Sequence, residues 1–208
     1  MTQIHKIGLV NVGVSNIASV ERMLDRVGAR TLLINKRDQL EQVSKVILPG
    51  VGHFDEGIKR LRTAALDEAI TDLVLGHQIV IMGICLGMQL LCRDSEEGSA
   101  AGLGLIDASV RKLRVETGQP FKVPQMGWNV VRTVKPNGLL PEGLEEQRFY
   151  FVHSYKVVPR DPTIIIGEAD HGGNFCAAFQ KDNIYGVQFH PEKSHRFGMA
   201  LMKRFLEL

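Results

Sequence analysis

Residues 79–84, Ile79-Val80-Ile81-Met82-Gly83-Ile84, form a short apolar run that leads straight into Cys85-Leu86-Gly87. A run of this length without polar alternation reads as a central parallel strand covered on both faces. Its surroundings agree. Ile7–Val12 is a second short apolar run, and Ile17–Val27 is a helix pattern stopped by Gly28. Thr31–Ile34 and Lys45–Leu48 read as further strands, the latter ended by Pro49-Gly50. Leu66–Leu75 reads as a helix closed by Gly76, and Leu86–Cys92 as the helix that follows the buried strand. Strands alternating with helices in this way predict an α/β fold with a doubly wound sheet.

The second half changes character. Val110–Val115, Trp128–Val134, Arg148–Val158, Ile164–Ala169, Phe175–Gln180 and Ile184–Phe189 all read as strands between turn residues. Helical spacing returns only at the end, with Phe197, Leu201, Phe205 and Leu208. No Pro/Ser-rich linker or repeat divides the halves, so the expectation is one mixed α/β domain over residues 1–208, both halves contributing to one cleft.

Composition narrows the function. With 208 residues, 44% hydrophobic and 23% charged, the chain has an ordinary globular balance. A net charge of +2 gives no reason to expect a nucleic-acid or membrane partner. No apolar run approaches a membrane span, and MTQIHKIGLV lacks a basic segment followed by a signal core, so cytoplasmic location is expected. Three widely spaced cysteines form neither a disulfide framework nor a zinc pattern, and no metal or cofactor is expected.

Gly83-Ile84-Cys85-Leu86-Gly87 has the form G-x-nucleophile-x-G, between a strand and a helix. That is the setting a nucleophile elbow requires. The glycines allow close backbone packing around the turn, and a helix N-terminus beneath the sulfur favours thiolate. The plain alternative is a buried structural cysteine, the usual fate of a free thiol and the reading adopted for Cys92 and Cys176. A thiolate needs a base and an orienting group. His190-Pro191-Glu192, after the strand Ile184–Phe189, supplies both: the imidazole at a strand end, and a carboxylate two residues on to hold its other nitrogen. By itself a strand-end histidine is usually just polar surface; the cysteine elbow gives it weight. Pro49-Gly50-Val51-Gly52 could turn backbone amides toward an oxyanion, with the Leu86 amide as second donor. Taken alone, that segment is an ordinary strand-to-helix turn.

With these three motifs in this order across nearly the whole chain, the sequence resembles the class I (triad) glutamine amidotransferases. Gly83–Gln89 is similar to that family's elbow, Gly186–Glu192 to its His-x-Glu motif and Pro49–Gly52 to its oxyanion strand. The resemblance implies a three-layer fold with a mixed, mostly parallel sheet flanked by helices. It also implies hydrolysis of glutamine to glutamate and ammonia through a thioester on Cys85. It assigns Cys85 as nucleophile, His190 as base and acid, Glu192 as orienter, and Gly50, Val51, Gly52 and Leu86 to the oxyanion positions. Gln89, Glu97, Ser154 and Tyr155 match positions that hold the substrate, Glu97 facing its α-ammonium; the plain reading of Glu97 is an exposed loop carboxylate.

Within the family, Pro124–Asn129, Tyr150–Tyr155 and His190–Ser194 resemble the amidotransferase subunits of imidazole glycerol-phosphate synthases. That implies a heterodimer with a (βα)8-barrel cyclase. Two departures stand out: Gln125 where those subunits often have His, and Asn11-Val12-Gly13-Val14-Ser15-Asn16 where they often have Asp-Tyr-Gly-Met-Gly-Asn. Asn16, Met126 and Trp128 are the candidate partner contacts, Trp and Met being enriched at interfaces. Trp128 reads equally as a core residue beginning a strand, and His153 reads as structural support. Other readings stay open: a subunit serving a different ammonia-using synthase, a cysteine hydrolase on the same kind of fold, a non-catalytic relative, and a stand-alone glutaminase.

Overall fold

Side chains of the first strands alternate between two apolar layers, which fixes the architecture. The computed structural model describes residues 6–11, 13, 16–77, 79–115, 120–141 and 146–208. Strands β1 (Lys6–Val10), β2 (Arg30–Ile34), β3 (Lys45–Gly50) and β4 (Val80–Cys85) run parallel in the order β2-β1-β3-β4. Ile7, Leu9, Ile47, Met82 and Ile84 point into one core layer; Val10, Val46, Leu48 and Ile81 point into the other. Helix α1 (Ile17–Arg26) covers the first layer through Val20 and Leu24. Helices α2 (Phe54–Thr63) and α3 (Asp67–His77) cover the second through Ile58, Leu61, Ile70 and Val74. A strand buried on both faces has no polar side to show, hence the unbroken apolar run before Cys85.

After the five-residue helix α4 (Leu86–Leu90) come β5 (Asp94–Ser95), β6 (Ala108–Lys112), β7 (Gln125–Thr133), β8 (Gln147–His153), β9 (Tyr155–Pro159), β10 (Ile165–Asp170), β11 (Asn174–Lys181) and β12 (Ile184–Val187). Helix α5 (His195–Glu207) ends the chain and buries Leu201, Met202, Phe205 and Leu206 in the layer shared with α1. The last strand returns to the middle: β12 lies parallel to β4 on one side and antiparallel to β11 on the other. The sheet continues antiparallel through β10, β7 and β8, with β9 bridging β11 to β6. The fold is therefore the expected three-layer α/β arrangement.

Several boundaries differ from the sequence reading. Pro49-Gly50 does not end β3, because β1 pairs with it only as far as Ile47. Pro49 thus sits where the strand has β4 as its sole neighbour, and its missing donor breaks no ladder there. Gly76 does not close α3, which runs to His77. The single stretch Arg148–Val158 is two strands broken at Ser154, because β8 pairs with β7 while β9 pairs with β6. The strand Trp128–Val134 begins three residues earlier, at Gln125. Helix α2 was not foreseen, although His53 caps it by accepting from the Asp55 amide and Asp55 and Glu56 occupy its first turn. Val12, part of the first predicted strand, lies outside the described residues.

Candidate active site

Cys85 leaves β4 with φ 53° and ψ −111°, a conformation L-residues avoid. Close crossing of backbones imposes it. A Cβ on Gly87 would stand 1.7 Å from the Leu48 carbonyl oxygen, and one on Gly83 would stand 2.6 Å from both the Gly87 oxygen and the Met88 nitrogen. A Cβ on Gly50, paired with Cys85 in register, would meet the Leu86 Cβ at 2.9 Å. Glycine is thus required at all three places so that α4 can fold back against β3 and β4. The turn leaves the thiol at the C-terminal edge of the parallel strands, where ligands of open α/β sheets bind.

The sulfur lines a cleft of about 320 Å³ together with Val51, Gly52, Leu86, Gln89, Glu97, Pro124, Val152, His153, Ser154 and Tyr155. The structure therefore gathers Val51, Gly52, Leu86, Gln89, Glu97, Ser154 and Tyr155 around Cys85. Gly50 is not on the cleft wall; its place is the backbone crossing just described. Gly52 has φ +104° with open space around its missing side chain, so its requirement is conformational. Glu97 is half-buried and spends Oε2 on the Phe54 amide at the start of α2, 2.9 Å away, so this carboxylate also anchors a helix.

His190 stands immediately beyond β12, and its backbone is held from two sides. Its N–H donates to the Tyr150 carbonyl at 2.8 Å, and its carbonyl accepts from the Ser194 hydroxyl at 2.6 Å. The imidazole and the Glu192 carboxylate are 2% and 3% exposed, with Nδ1 and Oε1 2.7 Å apart. Nδ1 thus donates to the carboxylate, and Nε2 is the ring nitrogen left over. Nε2 and the Glu192 Oε2 are buried polar atoms without a hydrogen-bond partner among the described residues. Burial alone would weaken the imidazole's hold on a proton, but the Cys85 sulfur and the Glu192 carboxylate reverse this, so His190 is held above the usual histidine range. The imidazole thus lies within the field of the Cys85 sulfur. A buried nitrogen left unmatched beside a thiol can pass a proton to or from a group arriving between them. Burial pushes the Cys92 and Cys176 thiols up instead, in agreement with their structural reading.

A family model described as "Glutamine amidotransferase class-I" matches residues 8–208. The chain belongs to the class-I glutamine amidotransferases. This amidotransferase is 48% identical over 200 residues to the imidazole glycerol phosphate synthase subunit HisH 2 of Pseudomonas aeruginosa, covering 96% of this chain and 98% of that one. It is 41% identical to HisH 2 of Methanococcus maripaludis, covering 97% and 98%, and 39% identical to HisH of Leptospira interrogans, covering 97% and 100%. Among solved structures, PurLQS of Thermotoga maritima superposes with TM-score 0.73 at 19% identity, covering 98% of this chain and 96% of that one. A glutamine amidotransferase of Thermotoga maritima does so with TM-score 0.64 at 20%, covering 98% and 81%. These two share the fold.

Away from the cleft of this amidotransferase, Met126 and Trp128 project from β7 with 66% and 48% of their surface exposed. Trp128 is therefore no core residue. Its ring stacks on His195 at 5.5 Å and meets Tyr150 edge-on at 6.2 Å, while the Lys193 ammonium lies 5.5 Å over the Tyr150 ring. Asn16 is exposed at the start of α1, which follows the C-terminal end of β1. Gln125, one residue before Met126, is buried, and its side-chain oxygen lies 3.0 Å from His153 Nε2.

His153 lines the cleft, and no carboxylate among the described residues partners it. Its Nδ1 donates to the Tyr155 carbonyl at 2.7 Å, and burial lowers its pKa to about 4 against that hydrogen bond. It is neutral at pH 7, which leaves Nε2 an acceptor. Gln125 must then turn its amide NH2, not its oxygen, toward that nitrogen. Sequence reasoning missed this pair, the stacking of His195 on Trp128, and the placement of Gln188 against Cys85. Gln188 lay within a recognised motif, but nothing in one sequence says where its amide points.

Proposed function

We propose that this chain hydrolyses glutamine to glutamate through a thioester on Cys85 and passes the ammonia to a cyclase partner. Its full-length likeness to HisH proteins makes it the glutamine amidotransferase subunit of an imidazole glycerol phosphate synthase, an enzyme of histidine biosynthesis. The observation that carries the chemistry is the strained Cys85 facing a buried His190 that Glu192 holds at 2.7 Å.

In this reading the Cys85 thiolate attacks the side-chain carbonyl carbon of glutamine, and the oxyanion turns to the amides of Leu86 and the Gly50-Val51-Gly52 segment. His190 Nε2 gives its proton to the departing nitrogen, leaving the thioester. A water then attacks as His190 takes its proton, and glutamate leaves while the thiolate is regenerated. Glu192 stabilises the imidazolium throughout. Gln89, Ser154, Tyr155 and the free side of Glu97 hold the amino-acid end of the substrate. The whole chain works as one domain, in the cytoplasm, with no metal or cofactor in the reaction.

Ammonia set free in neutral water is mostly protonated and lost as a nucleophile. A heterodimer with a (βα)8-barrel cyclase, docked over Asn16, Met126 and Trp128, would carry it directly to the acceptor. Rotation of a peptide unit in Gly50-Val51-Gly52 on docking would complete the oxyanion site, so the free subunit should be a slow glutaminase. The test is turnover of wild type and Cys85→Ala with the partner cyclase. Cys85→Ala should lose glutamine-dependent synthesis entirely while synthesis from added ammonium salt persists. Glutamine-dependent turnover in that variant would overturn the assignment.

A further inference from the structure

A buried row of amides reaches the sulfur from behind the cleft. The Tyr155 backbone carbonyl can only accept, so Gln89 must present its NH2 group there, at 3.3 Å. The same NH2 group donates to Gln188 Oε1 at 3.0 Å. With its oxygen committed, Gln188 must turn its own NH2 toward Cys85, where Nε2 lies 3.8 Å from Sγ. Gln188 is fully buried and Gln89 is 5% exposed, so water cannot scramble these orientations. The backbone adds a further constraint, for the Gln188 N–H donates to the Ala177 carbonyl at 2.9 Å.

Across the sulfur stands the opposite kind of group. The Cys85 thiol is 3.9 Å from the Val152 carbonyl, which can receive an S–H but repels a thiolate. Sγ therefore lies between an acceptor that favours the protonated form and a donor that favours the anion. A fixed amide donor costs no reorganisation when charge develops on sulfur.

We propose that Gln188 holds an amide donor directly on the Cys85 sulfur and favours its thiolate, with Gln89, and ultimately the Tyr155 carbonyl, positioning that amide. This rests on Cys85 being the nucleophile. The test is the pH dependence of alkylation of the full chain by iodoacetamide, without glutamine. The variants are Gln188→Met, close to glutamine in size but without a donor, and Gln89→Met, which unlatches the Gln188 amide without touching the sulfur. Cys85→Ser supplies the blank, since the other two thiols are buried. Gln188→Met should move the alkylation midpoint to higher pH and slow the reaction at pH 7 by about tenfold, the worth of a hydrogen bond to a charged group. Gln89→Met should shift it the same way by about threefold, and carries the test should Gln188→Met fail to fold. A purely packing role would lower the melting temperature and leave both midpoints where wild type has them; that result overturns the proposal while the nucleophile stands. Failure of Cys85 in wild type to be alkylated at any pH would overturn both.

Discussion

Between Lys6 and Leu90 the strands run parallel, and the reactive group sits where backbones cross with no room for a side chain. From Ala108 to Lys181 most strand pairs are antiparallel, and the site residues there are placed by hydrogen bonds between side chains and carbonyls. In the first region Gly50, Gly83 and Gly87 leave Cys85 only one way to point. In the second, the Tyr155 carbonyl receives both the His153 imidazole and the Gln89 amide, and Met126 and Trp128 stand out from β7 into solvent. The parallel region thus builds a rigid edge for chemistry. The antiparallel region supplies a hydrogen-bonded wall and an apolar exterior. His190 belongs to both, because β12 lies parallel to β4 while the residue itself bridges to Tyr150 of β8.

The strongest way to break this comparison acts at that junction. His190→Ala should reduce partner-stimulated glutaminase turnover by about 10²–10⁴-fold, the usual worth of a general acid–base. Glu192→Gln should cost less, because it removes the orienting charge and leaves the proton carrier. Steady-state glutaminase rates of both variants decide this, and two near-normal rates would remove the triad.

The wall is next. His153 is buried and neutral, with its pKa lowered to about 4, whereas in the unfolded chain it titrates near ~6.5. Between these values the unfolded chain binds the extra proton. The stability contribution is therefore fully present above about pH 6.5 and is lost as pH falls toward 4. A difference of this size is worth about 3 kcal/mol. Urea unfolding across that window should show His153→Gln with a flatter pH dependence than wild type; parallel curves would mean that His153 is not the neutral group described.

The smallest effect belongs to the exterior. Trp128→Ala should weaken association with the cyclase partner by about 2 kcal/mol, near thirtyfold, the range of an aromatic hot spot. Titration calorimetry checks the affinity. The melting temperature of the free chain should barely move, since Trp128 lies outside the core and touches chiefly His195 and Tyr150. An unchanged affinity would detach this surface from partner binding.

Much of this was legible in the sequence, and unevenly so. The apolar run before Cys85, the glycines around it and His190-Pro191-Glu192 announce themselves because strand burial, close backbone approach and a tight turn each demand particular residues at fixed short spacings. Order along the chain was therefore enough for the α/β class, the elbow and the candidate triad. Strand limits were harder. Ser154 breaks a continuous β pattern because the chain changes neighbours there, which local propensity does not record. Helix α2 was missed although its capping residues were in view.

Sequence by itself determined which residue types could do the chemistry, since these follow from local geometry and intrinsic reactivity. Only the tertiary structure decided which way each polar group faces. Gly50 is also a packing position, Glu97 also anchors α2, and His153 is kept neutral. Gln188 points its NH2 at sulfur, and Trp128 lies outside the core. The physical reason is that burial and hydrogen-bond direction arise from contacts between residues tens of positions apart. A glutamine reads the same in the chain whether its oxygen or its nitrogen meets the sulfur, and only the Tyr155 carbonyl, 33 residues before Gln188 and able to accept but not donate, settles which it is.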